Sequence, residues 1–224
     1  GPPGGVGPRL DGDPPGDPCV LRFREAVAGG AVPFGVQGTE NAWCLDGGRT
    51  IGWEMARHME EAEVGPPLDR VFVQVGGGAF AACLAAGFRM SGITPRLHAV
   101  QTDACAPLER AWTRCASVGG VRAAAAYWDA CMWPWERGGA TAADGILDDE
   151  TYDWLPVVEA MDDGHGAPVV VGEQHVLDAN EMARHVAGVD ASHTGSAGLA
   201  GLLAMRPELR DDERVAVVLS GIRR

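Results

Sequence analysis

The sequence predicts an α/β fold, a three-layer αβα sandwich built around a mainly parallel sheet. Four short runs are largely apolar and rich in β-branched residues, as expected of strands that are buried on both faces. Helical segments separate these runs, and each parallel crossover needs such a connection. With 224 residues, 46% of them hydrophobic, the chain is long enough for one sizeable core. The predicted strands are residues 71–75, 96–101, 168–171 and 215–219.

The predicted helices follow from apolar residues that recur at helical spacing and from the small residues that end each segment. In the helix predicted over residues 50–63, Ile51, Met55 and Met59 share one face, and polar residues occupy the other. The other predicted helices are residues 21–28, residues 79–86, which should end at Gly87, and residues 105–115, 173–187 and 192–204.

Composition excludes several classes of partner. The 18 basic residues are all arginine, and 31 acidic residues leave a formal net charge of -13. Such a surface repels phosphate backbones, so no nucleic-acid partner is expected. No apolar run reaches the roughly 18 residues of a transmembrane helix, so no membrane partner is expected. The six cysteines form no C-x-x-C pair and the histidines no H-E-x-x-H motif, which indicates core thiols in a reducing cytoplasm and no zinc site.

A glycine triplet follows the first predicted strand and precedes a helix. The backbone amides of Gly76, Gly77 and Gly78, with Ala79 opening the helix, can converge on a phosphate, helped by the positive end of the helix dipole. Side chains there would block close approach. The triplet matches neither G-x-G-x-x-G nor the Walker pattern. It therefore predicts either a phosphate site or an ordinary tight turn.

Two further places carry polar candidates. Ser220 comes just after the last predicted strand, at the edge where open α/β sheets bind ligands, although taken alone it is better explained as a turn residue. Asn41 and Arg49 flank a glycine pair before the second predicted helix, and Thr50 is a natural N-cap for that helix. Arg49 is then either a solvated surface charge or an anion ligand.

Five segments, in order, resemble the fold-type-II enzymes that use pyridoxal 5'-phosphate (PLP), such as threonine synthase, threonine dehydratase, serine racemase and the tryptophan synthase β-chain. The resemblance runs from about Asp17 to Arg224 and implies the large PLP-binding domain of fold type II. It also implies that Gly76 to Ala79 hold the cofactor phosphate and that Ser220 meets the pyridine nitrogen. The segments are VFVQVGGG, RLHAVQTDACAPL, TAADGI, HTGSAGLAGLL and VAVVLSG.

The subfamily is indicated by a second stretch. NAWCLDGGRTIGWE is similar to a threonine synthase sequence, which implies that Asn41 and Arg49 contact an anionic group of an amino-acid substrate. The resemblance implies a lyase of the threonine synthase type that acts on a hydroxy or phosphohydroxy amino acid. Cys44 replaces an arginine of that sequence, and the Ala-Asp-Gly turn and Ser220 are closer to the dehydratases. Threonine or serine dehydration is therefore the alternative.

Other features of the resemblance concern what this chain lacks. The positions that bind a divalent metal in serine racemase-like enzymes correspond to Gln101 and Pro107, so no metal is expected. The family holds PLP on a lysine, because only a primary amine condenses with its aldehyde, and this chain has no lysine.

The missing lysine sets the expected domain organisation. We expect residues 18–224 to be the C-terminal, cofactor-binding part of a longer homo-oligomeric enzyme, inactive by itself, and residues 1–17 to be a loop or remnant. Two other classes of function stay open. One is a protein without lysine that binds PLP or a partner without chemistry, and the other is a nucleotide-binding α/β module.

Overall fold

The computed structural model describes residues 16–61, 68–136 and 138–222, so the loop or remnant predicted for residues 1–17 lies almost wholly outside it. Helices and strands alternate along most of the described chain, as the sequence predicts. The helices are α1 (Pro18–Ala28), α2 (Ala42–Gly48), α3 (Thr50–Glu61), α4 (Ala79–Met90), α5 (Pro107–Ser117), α6 (Val121–Ala124), α7 (Trp128–Cys131), α8 (Trp154–Asp163), α9 (Glu173–His185) and α10 (His193–Met205), and the strands are β1 (Arg70–Gln74), β2 (Arg96–Thr102), β3 (Val169–Val171) and β4 (Val215–Val217).

The four strands form one sheet in the order β3-β2-β1-β4, and every pairing is parallel. Arg70 at the start of β1 lies opposite Arg96 of β2 and Val215 of β4. The carboxyl ends of the strands therefore meet at one edge of the sheet. This confirms the predicted parallel sheet.

Helices cover both faces of the sheet. On one face, Val71 and Val73 of β1 pack in a core with α4, α5 and α8. On the opposite face, Phe72 packs with α9 and α10, because successive side chains of a strand point to opposite faces. The α/β three-layer sandwich is thus confirmed. None of the helices in the described ranges is long and apolar enough to cross a membrane.

One expectation about a helix is wrong, and it concerns the contact between α3 and α4. Helix α4 does not end at Gly87 but continues to Met90. Gly87 is buried against Gly52 of α3, where an added Cβ atom would lie 2.9 Å from the Gly52 Cα atom. The buried residues of α3 are Gly52 and Ala56, whereas Ile51 is 36% exposed. The two backbones approach so closely that only small residues fit between them.

Four helices, α2, α6, α7 and α8, were not predicted. Trp154, Val157, Val158 and Met161 are all buried and recur at intervals of three and four residues. This spacing is the signal by which α8 could have been found. The other predicted boundaries differ from the observed ones by a few residues, as is usual for helix and strand ends.

Candidate functional site

A cavity of about 570 Å³ opens at the carboxyl ends of β1 and β4. This is the edge at which open parallel sheets bind ligands. The glycine triplet after β1 and Ser220 after β4 both line it, so the fold brings together two segments that are far apart in the sequence. The rest of the lining consists of Val36, Gln37, Cys44, Gly48, Gln74, Val75, Ala79, Phe80, Ala81, Cys83, Gly145, Ile146, Asp148, Tyr152 and Asp153.

The glycine triplet forms a bare backbone surface in the cavity wall. Gly78 has a φ of 95°, a left-handed conformation that glycine adopts at little cost, and it is the N-cap of the twelve-residue helix α4. A Cβ atom added at Gly77 would lie 3.2 Å from a ring carbon of Tyr152. The backbone amides of the triplet and the helix N-terminus together suit an anionic group.

Ser220 is held in the cavity wall by both its backbone and its side chain. Its backbone N–H donates to the Gly195 carbonyl of α10 at 2.9 Å. Its Oγ accepts a hydrogen bond from Nε2 of Gln74 at 2.5 Å. Because the oxygen accepts there, the hydroxyl hydrogen remains available to donate to an acceptor in the cavity.

The polar side chains of the cavity are acidic or neutral. Asp153 is buried, which raises the pKa of its carboxyl group, and its Oδ2 accepts from the Gly38 backbone at 3.0 Å. Burial also raises the pKa of Asp148. No Arg, Lys or His side chain is among the residues that line this described cavity. The described residues also contain no cluster of three or more His, Cys, Asp or Glu side chains that could hold a metal ion.

Two thiols lie on the same wall. Burial raises the pKa of Cys83 to about 11, and its Sγ lies 3.9 Å from the Cys44 carbonyl oxygen. Since the thiolate is the reactive form of cysteine, Cys83 is a poor nucleophile at neutral pH. The thiol is better explained as packing between α2 and α4.

The two predicted substrate contacts lie outside the cavity lining. The Asn41 side chain donates to the Gly35 carbonyl at 2.9 Å. Arg49 forms an ion pair with Asp46 at 2.5 Å and also contacts Met90. Both side chains thus have local partners, and a role for them in substrate binding stays a prediction.

Sequence reasoning missed five polar residues that the fold brings to the cavity, namely Gln37, Gln74, Asp148, Tyr152 and Asp153. An acidic run directly after the Ala-Asp-Gly turn was a readable signal for one of them. Gln74 carried a weaker signal, as a polar residue at the end of a strand that is otherwise apolar. The residue types alone do not show that these side chains face the glycine triplet.

Solved structures with a similar fold include several enzymes of amino-acid chemistry. A threonine deaminase from T.th. matches with a TM-score of 0.65 and 22% identity, over 81% of this chain and 57% of that one. Threonine deaminase isoform 2 of Solanum lycopersicum, in its processed form, matches with a TM-score of 0.61 and 18% identity, over 81% of this chain and 46% of that one.

Diaminopropionate ammonia lyase of Escherichia coli, solved in complex with an aminoacrylate–PLP azomethine reaction intermediate, matches with a TM-score of 0.62 and 16% identity, over 90% of this chain and 52% of that one. The chain thus spans about half the length of these proteins. At these identities the likeness shows a shared fold.

The sequence itself gives the family. A search among curated proteins finds no significant match. The family model of the pyridoxal-phosphate dependent enzymes, in contrast, matches residues 15–221, which is nearly the whole chain. The cofactor of this family is PLP. The glycine triplet predicted to bind its phosphate lines the same cavity as Ser220. This protein belongs to the family of pyridoxal-phosphate dependent enzymes.

Proposed function

We propose that residues 18–224 form the cofactor-binding domain of a PLP-dependent lyase that eliminates the hydroxyl group of a hydroxy amino acid. One observation carries the proposal. The glycine triplet and Ser220, which suit the two ends of the PLP molecule, face the same cavity at the carboxyl edge of the sheet. Enzymes of threonine and serine elimination have this fold, which supports the choice of reaction.

The residues present fit the cofactor at two points. Gly76, Gly77 and Gly78 leave a cradle in which a side chain would collide with the opposite wall. Their amides, at the N-terminus of α4, would hold the phosphate. Ser220 keeps a hydroxyl hydrogen free because Gln74 donates to its oxygen. That hydrogen would be donated to the pyridine nitrogen, which holds the ring without protonating it.

PLP, when bound, supplies an electron sink for charge that develops at the substrate α-carbon. The chain would position the cofactor and exclude water from the cavity. Ile146 and Phe80 provide apolar surface on the cavity wall, and the sheet edge fixes Ser220 relative to the glycine triplet. The amine that holds PLP covalently in this family would come from outside these 224 residues, which contain no lysine.

The charge of the cavity favours an unphosphorylated substrate. Asp148 and Asp153 line it, and Arg49, the cation predicted to contact a substrate phosphate, is paired with Asp46 instead. A second phosphate group would find no basic side chain in the described lining. Dehydration of threonine or serine therefore fits better than a threonine synthase reaction on a phosphohydroxy amino acid.

A second candidate function is favoured by the missing lysine. A chain without a side-chain amine could bind PLP or a partner without chemistry. Borohydride reduction of the PLP-treated chain, followed by peptide mass spectrometry, tests whether a side chain of this protein binds PLP covalently. We expect no pyridoxyl adduct on any side chain. An adduct at a single internal residue would show that PLP is held covalently by this chain itself.

The phosphate cradle is tested by Gly77→Ala. The added methyl group enters the cradle, so we expect PLP to bind about tenfold more weakly, the effect of losing one charge-assisted hydrogen bond. The measurement is isothermal titration calorimetry of PLP with the 224-residue chain. The matched control is Gly47→Ala in α2, where an added Cβ atom meets nothing within 4 Å. Equal PLP affinity for both variants would contradict the assigned phosphate site.

A further inference from the structure

The carboxylate of Asp148 lies where the cofactor phosphate is expected. A Cβ atom added at Gly76 would collide with Oδ2 of Asp148, and one added at Gly77 would lie 3.6 Å from the same oxygen. The Gly77 backbone is close enough to this carboxyl group to lower its pKa. An acidic side chain of the protein thus lies against the glycine backbone that is assigned to the phosphate.

Asp148 is anchored from its own loop. The loop begins with the short 3-10 helix Asp144–Ile146, in which Ile146 is buried. The Gly145 backbone donates to Oγ1 of Thr194 at 3.0 Å, which ties the loop to α10. On the other side, Sγ of Cys105 donates to the Asp148 carbonyl oxygen at 3.2 Å. These contacts hold the loop backbone on both sides of the Asp148 side chain.

The groups around Asp148 do little to stabilise its negative charge. Burial is the main reason for its raised pKa, and the charges of Asp149 and Asp17 raise it further, while the Gly77 backbone lowers it. Tyr152 and Cys105, which are also close, have raised pKa values and stay uncharged at neutral pH. Asp153 adds a second carboxyl group to the cavity. A phosphate and an ionised Asp148 would therefore repel each other.

We propose that Asp148 competes with the cofactor phosphate for the glycine triplet, so that PLP binds only after this carboxylate has been displaced or neutralised. The inference rests on the proposed function, because it takes the triplet as the phosphate site. It assigns to Asp148 control over how tightly, and at which pH, the phosphate is held. The residue acts on cofactor binding and needs no part in the chemistry.

A pH dependence follows with a defined sign. As pH falls, Asp148 becomes protonated and no longer repels an anion. Because its pKa is raised, this relief begins at a higher pH than for an exposed aspartate. The phosphate of PLP titrates as well, with a second pKa of about 6, and therefore contributes its own pH dependence. The difference between the wild type and a variant that lacks the carboxylate isolates the contribution of Asp148.

The test is calorimetric titration of the 224-residue chain with PLP and with pyridoxal, which has the same ring but no phosphate. We expect Asp148→Asn to bind PLP about tenfold more tightly at mildly alkaline pH, since a charged competitor becomes neutral. Pyridoxal affinity should not change. The gain in PLP affinity should shrink as pH is lowered. Asp148→Ser, whose short side chain cannot reach the triplet, is the second variant and should show a gain in the same direction.

Asp149→Asn is the matched control, because it removes one negative charge from the next residue. Asp149 accepts a hydrogen bond from Tyr152 and is not among the residues that line the cavity. The gain in PLP affinity from Asp149→Asn should therefore be clearly smaller than that from Asp148→Asn. If PLP affinity is unchanged in both Asp148 variants while Gly77→Ala still weakens it, Asp148 does not compete with the phosphate. The proposed function would remain supported in that case. If PLP binds no better than pyridoxal in every variant, both proposals fall.

Discussion

The direction of one hydrogen bond decides what Ser220 can do. Gln74 is 6% exposed, and its amide group donates to the serine oxygen. A glutamine that instead accepted from the serine would use up the hydroxyl hydrogen, and no donor would remain for the ring nitrogen. We therefore regard Gln74 as a positioning residue that acts through Ser220.

A double-mutant cycle tests this role. We expect Ser220→Ala to weaken PLP binding by about two- to tenfold, the range for one neutral hydrogen bond. Gln74→Leu should weaken it less, and in the Ser220→Ala background it should have no further effect, because its action passes through the hydroxyl group. The measurement is PLP affinity by calorimetry. Additive losses would mean that Gln74 only supports the fold of the cavity wall.

Among the helices, the crossing of α3 and α4 shows how glycine can be required within a regular helix. Gly52 and Gly87 face each other, and a Cβ atom on either one would meet the backbone of the other helix. Helix α4 supplies Ala79 and Cys83 to the cavity wall, so the helix that forms this crossing also lines the cavity. A glycine that elsewhere ends a helix is here a packing residue.

Gly87→Ala tests this crossing. Alanine favours a helix over glycine by about 1 kcal/mol, yet we expect the variant to lose about 1–3 kcal/mol of unfolding free energy, because the methyl group overpacks the contact. Chemical denaturation measures this loss. Gly47→Ala in α2, where space is open, should be neutral or slightly stabilising. A Gly87→Ala variant as stable as the wild type would show that the helices can separate at little cost.

Across the whole molecule, the sheet buries polar groups that connect its strands. Glu213, just before β4, has a fully buried side chain that accepts from Arg70 of β1 at 2.9 Å and from Arg96 of β2 at 3.2 Å. His98 of β2 is 2% exposed and stacks on Phe72 of β1 at 4.7 Å. The hydrogen bond from Arg70 is the main cause of the lowered pKa of Glu213. Burial is the main cause of the lowered pKa of His98.

These groups predict how the fold responds to acid. Burial lowers the pKa of His98 from 6.5 to about 4. Below pH 6.5 the unfolded chain therefore binds a proton that the folded chain does not, and stability falls until about pH 4, by about 3 kcal/mol from this group. Glu213 contributes at lower pH, because the stability that its ion pairs provide is lost as pH falls through its depressed pKa.

Denaturation at a series of pH values checks this prediction. His98→Phe keeps an aromatic ring against Phe72 but cannot titrate, so its stability should depend less on pH over this range, whatever its stability at neutral pH. His58→Gln, which changes an exposed histidine of α3, should follow the wild type. An unchanged slope in His98→Phe would show that other groups control the acid transition.

Chain-local patterns predicted much of the fold and part of the site. Apolar β-branched runs indicated the parallel sheet, because strands buried on both faces need apolar side chains throughout. Parallel strands carry their carboxyl ends to one edge, so the glycine triplet after β1 and Ser220 after β4 could be expected to meet. The resemblance carried by five segments indicated the family and its cofactor, and the match over residues 15–221 confirms both.

Packing between distant segments decided the rest. Gly87 looks like a helix end within its own segment, but its contact with Gly52 makes it part of a continuous helix. Arg49 is interpreted from the sequence either as a surface charge or as an anion ligand, and the fold pairs it with Asp46. Asp148 belongs to an acidic run that the sequence does not assign to any site, and its loop places it against the glycine triplet. The sequence by itself determined the fold class and cofactor, whereas the charge of the site arose only from tertiary structure, because electrostatic contacts depend on distances that no local pattern encodes.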